Sequence, residues 1–138
     1  MLFRSRRLLA EGRERTWARH AAIASAVQVG LESLGLTLVA APADRSGTVT
    51  AAWVPEGLEW APFNAAMRAK GLIVAGGQGA WVGRILRFGH MGGVGIDEMC
   101  DAVRVMGETL AELGRPADHA GAVRAMRAAY EATRTAAV

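Results

Sequence analysis

One cysteine, Cys100, one lysine, Lys70, and four prolines are spread through a chain of 138 residues. A lone thiol cannot close an internal disulfide, and no Cys/His spacing around it suits a structural zinc ion, so a reducing, cytoplasmic setting is expected. No apolar run approaches the roughly 18 residues that cross a bilayer, which excludes a membrane-spanning helix as a working expectation. Aromatic residues make up only 6%, yet hydrophobic residues reach 51% and charged ones 21%, enough to bury a single core. Internal repeats and low-complexity linkers are missing too. All the basic residues except Lys70 are arginines, and the formal net charge is +3. Placed at about 100° per residue, Arg4, Arg6, Arg7, Arg13, Arg15 and Arg19 scatter around a helix axis without interleaved aromatics, so no nucleic acid is expected as a partner. Glu11 and Glu14 interrupt this segment, which is read as structure rather than as a transit peptide.

The apolar pattern divides the chain into helices and strands. Over residues 13–34, Trp17, Ile23, Val27, Leu31 and Leu34 recur at three- and four-residue steps, predicting an amphipathic helix closed by Gly35. Residues 36–41 suit a short strand, 42–47 a loop, and the β-branched 48–54 a second strand stopped by Pro55 and Gly57. Pro62, Phe63, Ala66 and Met67 mark a short helix ending at Gly71. Strands at 72–75 and 84–88 then flank a glycine turn. Residues 96–113 carry a continuous stripe of Ile96, Met99, Cys100, Val103, Met106, Leu110 and Leu113, with Asp97 and Glu98 at the positive helix end. The alanine-rich 118–135 offers only Val123, Met126 and Tyr130, a stripe suited to a neighbour outside the chain; His119 and the tail charges are expected in solvent. The economical arrangement is α+β, a small, mainly antiparallel sheet of three or four strands covered on one side by helices. Two units are expected, a domain over 1–114 and a helical extension over 115–138.

Chemistry concentrates in AGGQGAWVGRILRFGHMG, residues 75–92. Gly76, Gly77 and Gly79 can take positive backbone angles and bring main-chain amides close to a ligand. Strand alternation sets Arg87 with Ile85 and Gly89, opposite Arg84, Leu86 and Phe88. A guanidinium among small and apolar neighbours needs a partner, either a carboxylate of its own domain or that of a ligand. His90 titrates near neutrality but has no Ser, Cys or Asp spaced to complete a nucleophilic triad, so a backbone hydrogen bond beside the sheet is its expected role. Met91, Met99 and Met106 read as core. The glycines at 89, 92, 93 and 95 do not form a dinucleotide fingerprint, because His90 and Met91 follow the strand.

The segments TVTAAWVPEG (48–57) and GLIVAGGQGAWVGRILRFGHMG (71–92), in this order and separation, resemble the C-terminal small domain of class V, fold-type I aminotransferases, especially the alanine–glyoxylate and serine–pyruvate branch. The resemblance covers residues 11–113. It implies that Arg87 grips the substrate α-carboxylate through a two-pronged salt bridge, and that Gly76 and Gly77 belong to a loop at the active-site mouth. His20, in RTWARH, matches the Trp-x-x-His region that opens such domains and is expected to pack or cap. The cofactor of the parent enzymes is pyridoxal phosphate, held by a lysine, an acidic group and a phosphate cup of their large domain. Lys70, in RAKGL, matches no part of the cofactor-lysine motif, so no cofactor is expected to bind this chain alone. The implied partners are a small amino acid or 2-oxo acid, a large domain on a longer or complementing chain, and a second copy in the parent homodimer. The alternative is a non-catalytic domain that binds small carboxylates or another protein. Departures from the family pattern are GGVGIDEM, without Ser or Asp before the next helix, and Trp60 and Pro62 at the preceding helix start.

Overall fold

The computed structural model describes residues 2–136, with side chains from residue 6 onward, so the side chain of Arg4 lies outside the described residues. Five helices and three strands follow one another as α1 (Leu2–Glu11), α2 (Arg13–Ser33), β1 (Val49–Trp53), α3 (Trp60–Ala69), β2 (Ala75–Gly76), β3 (Ile85–Gly89), α4 (Ile96–Glu112) and α5 (His119–Ala136). The sheet is antiparallel with order β1-β3-β2, and the expected one-sided helix layer is present. In the register, Ala51 faces Arg87, Trp53 faces Ile85, and Ala75 faces Arg87 from the other edge.

One face of this sheet is core. Ala52, Leu86 and Phe88 point into the helices, where Ile23, Val27 and Leu31 of α2, Phe63 and Met67 of α3, and Val103, Met106 and Leu110 of α4 are buried around them. Each such side chain removed from water contributes on the order of 1.5–3 kcal/mol. The predicted helix over 13–34 is observed almost residue for residue, ended by Gly35 at φ +85°. Gly12, also at φ +85°, separates it from α1.

Several expectations are corrected. Residues 36–41 form no full strand: Leu38 makes one bridge to Ala52, flanked by bonds from Val39 N to Ala51 O and from Trp53 N to Thr37 O, before Pro42 turns the chain away. The strand expected at 72–75 is reduced to Ala75–Gly76, because Leu72 N is spent on Met67 O in closing α3. Trp17, expected in the buried stripe, is 61% exposed, lying under the Arg13 guanidinium in a groove with Leu8 and Leu9. It stands at the start of α2, before the run of buried positions begins at Ala22. Met99 and Met106 are core, but Met91 is 52% exposed in the loop after β3.

The α5 helix needs no outside neighbour for its stripe, since Ala122 and Met126 are buried against the rest of the core. Close approach is possible because α2 presents Gly30, where a Cβ would lie 2.6 Å from Met126 Cγ and Sδ. His119 is half-buried rather than fully in solvent: it packs on Gly107 of α4, whose absent Cβ would lie 2.6 Å from its own. The missing Ser or Asp before α4 is replaced by Glu98, which accepts the Gly95 N–H at 3.0 Å and supplies half of a capping box.

Candidate functional site

The face of the sheet turned away from the helices carries Arg87. Alternation along β3 buries Leu86 and Phe88 and leaves Arg87 half-buried on the opposite side, with Ala51 and Ala75 as its cross-strand neighbours. Its Nε donates to the Gly76 carbonyl at 2.9 Å. This single bond fixes the plane of the guanidinium and leaves the two terminal nitrogens without a partner among the described residues. No carboxylate of the described residues pairs with it either, although eight other ion pairs form. A fork with two free parallel donors matches the two oxygens of a carboxylate.

The glycine turn serves this arrangement in a way that differs from expectation. Of Gly76, Gly77 and Gly79, only Gly79 has a positive φ, +57°. Gly76 belongs to β2, faces the Trp60 ring and offers its carbonyl to Arg87. Gly77 donates its amide to Ile85 O at 3.0 Å, so that amide is used within the hairpin. Gly77 must be glycine for space: a Cβ there would lie 2.0 Å from Trp81 O, because the chain folds back over this residue.

The C-terminal end of β3 is tied down from two sides. His90, fully buried, shares a 2.9 Å hydrogen bond between Nε2 and Thr50 Oγ1, a side-chain partner where a backbone one was expected. Its Nδ1 has no partner among the described residues. Burial, reinforced by the nearby His20, lowers its pKa from 6.5 to about 4, so the ring is neutral and is no proton donor at neutral pH. Gly92 is clasped from α2: its N–H donates to His20 Nε2 at 3.1 Å and its carbonyl accepts from Arg19 at 2.8 Å. Arg19 also holds Glu11 through two bonds, 2.6 and 2.8 Å, which lower the pKa of Glu11 to about 2. The capping role expected of His20 is thus observed, on the loop that follows β3. Neither Thr50 nor Arg19 stood out in the sequence, since their partners lie 40 and 73 residues away.

Lys70 does not belong to this site. It ends α3 and donates to Glu112 of α4 at 2.6 Å, within the helix layer. No cluster of metal ligands occurs among the described residues. The pairing of the lone lysine with Glu112 does not suit the Schiff-base lysine of a pyridoxal phosphate site.

No family model matches the chain. An aminotransferase of Methanocaldococcus jannaschii, itself uncharacterised, is 41% identical over 108 residues, which are 78% of this chain and 28% of that protein. The L-aspartate–glyoxylate aminotransferase of Paracoccus denitrificans is 32% identical over 133 residues, 95% of this chain and 34% of its own. The crystal structure of pyridoxamine–pyruvate aminotransferase from Mesorhizobium loti matches with a TM-score of 0.84 and 31% identity, over 90% of this chain and 32% of that one. The chain therefore spans about a third of the length of these relatives, at their C-terminal end.

Proposed function

Because this chain belongs to the class V aminotransferases, a pyridoxal-phosphate-dependent family, and forms their C-terminal domain, we propose that its task is to hold the α-carboxylate of an amino or 2-oxo acid with Arg87. The observation that carries this reading is the Arg87 guanidinium, oriented through Nε by Gly76 O and otherwise unpaired on the open face of the sheet. When bound in such enzymes, the cofactor would supply the amino-group transfer chemistry. The work of this domain is to bind and orient the acid that reacts. Charge-assisted hydrogen bonds of this kind contribute about 1.5–3 kcal/mol each. Gly76 sets the orientation, and Gly77 keeps the turn tight enough for Gly76 to stay in β2.

Cofactor binding and transamination are assigned to the portion of the relatives that lies outside this match, since Lys70 is engaged by Glu112. The resemblance in residues 48–92 implies a small amino acid as donor and a small 2-oxo acid as acceptor. The exposed Leu8, Leu9 and Trp17 offer an apolar surface for that larger portion. The family's homodimer and a cytoplasmic setting complete the reading; the buried, free Cys100 suits a reducing compartment. Substitution Arg87→Gln is the direct test. L-Alanine titrated against the native chain and the variant, followed by arginine side-chain NMR signals, is expected to bind at least roughly tenfold more weakly to the variant. Equal affinities would remove Arg87 from the role.

A further inference from the structure

Three residues before Arg87, just ahead of β3, stands a second arginine without a carboxylate; ideal alternation would set it on the helix side, but its guanidinium reaches the rings of Trp53 and Trp81 instead. The Arg84 guanidinium lies 5.6 Å from the Trp53 ring centre and 5.7 Å from that of Trp81, and the two rings are themselves 5.4 Å apart and tilted. Trp53 shares its sheet face with Ala51, the cross-strand neighbour of Arg87, and is two residues further along β1. At about 3.4 Å per residue this places Trp53 roughly 7 Å along the strand from Ala51. The backbone of Trp81 folds over the outer side of Gly77. Ile85, which points outward with Arg87, is nevertheless only 8% exposed. The tryptophans and the guanidinium therefore lie toward the Trp53 end of the sheet face that carries Arg87. Aromatic faces hold a guanidinium in place without neutralising it, and its N–H edges stay available for an anion. No ion pair or hydrogen bond from the Arg84 side chain occurs among the described residues.

The geometry points to Arg84 as a specificity-determining residue that binds the second carboxylate of a short dicarboxylic substrate, an acidic amino acid or its 2-oxo acid, whose α-carboxylate is held by Arg87. This rests on the Arg87 reading above. Two cations set a few strand residues apart on one face suit a four- or five-carbon chain with a carboxylate at each end. A neutral side chain would leave Arg84 on its tryptophans and gain nothing from it.

The test is a pair of titrations of the full chain at physiological salt, with L-aspartate and with L-alanine, read by tryptophan fluorescence and by arginine Nε–H signals. In the native chain L-aspartate is expected to bind roughly tenfold more tightly than L-alanine. Arg84→Gln should bring L-aspartate down to the affinity of L-alanine and leave L-alanine unchanged. Arg84→Lys, which keeps the charge, should retain part of the preference. Arg87→Gln should weaken both ligands. A preference that survives Arg84→Gln, or no preference in the native chain, overturns the role of Arg84 while leaving that of Arg87 intact. Undiminished binding of both ligands by Arg87→Gln, or no binding of either by the native chain, overturns the carboxylate reading and the Arg84 proposal with it. Arg84 is exposed, and circular dichroism of each variant confirms that the fold is kept.

Discussion

His90 shows how one buried side chain ties the stability of this domain to pH. The folded ring holds a pKa of about 4, against about 6.5 in an unfolded chain. Between these values the unfolded state binds a proton that the folded state refuses, so stability falls as pH falls from about 6.5 to about 4 and this contribution then levels off. The upper bound is about 3 kcal/mol at 1.36 kcal/mol per unit. Glu11 acts lower on the scale: its carboxylate, held by Arg19, contributes stability above about 4.5 that is lost as pH falls toward about 2. Urea midpoints at pH 7 and pH 4.5 therefore isolate His90. His90→Gln is expected to be less stable than the native chain at pH 7 and to lose much less on going to pH 4.5; an equal acid loss in both proteins would exclude His90 as its source. The sequence placed His90 beside the sheet correctly but could not name its partner, because the bond to Thr50 exists only once β1 and β3 pair.

At the scale of elements, the long helix stripes and the strands at 48–54 and 84–88 were legible, whereas the strands expected at 36–41 and 72–75 are reduced to a bridge and two residues. The stripes of α2 and α4 run over four or more turns, and their closing glycines Gly35 and Gly114, both at positive φ, stand where the patterns end. The segments at 36–41 and 72–75 have strand-like composition, yet loop turns and helix caps claim their backbone groups first. Likewise the glycine turn was visible, but the reason for each glycine was not. Gly77 meets backbone atoms of Trp81, whereas Gly79 has open space and needs only its φ of +57°. Two substitutions separate these causes. Gly77→Ala must displace the 78–82 turn, so it is expected to cost about 1–3 kcal/mol and to change the near-ultraviolet circular dichroism of the Trp53–Trp81 pair. Gly79→Ala should cost about 1–2 kcal/mol through backbone strain and leave that signal in place. If Gly77→Ala preserves the aromatic signal, the fold-back over Gly77 is not what holds Trp81.

Taken whole, the molecule is a sheet with two unlike faces. One is sealed by helices around a continuous core, and the other presents Arg87, with Trp53, Trp81 and the Arg84 guanidinium toward one end. The proposed carboxylate binding uses only the second face, and the Arg87 guanidinium it depends on lies wholly within a chain that spans a third of its relatives. Cofactor chemistry needs a lysine free to attack an aldehyde. Lys70 instead donates to Glu112 between α3 and α4, on the helix side of the sheet. Incubation with pyridoxal phosphate, borohydride reduction and peptide mass analysis is thus expected to show no saturable label at Lys70, only slow labelling that rises in proportion to reagent. Glu112→Gln removes that partner and should increase the non-saturable labelling without creating a plateau. Stoichiometric, saturable label at Lys70 in the native chain would instead locate a cofactor site between α3 and α4, and would move the chemistry of this domain from the open face of the sheet into its helix layer.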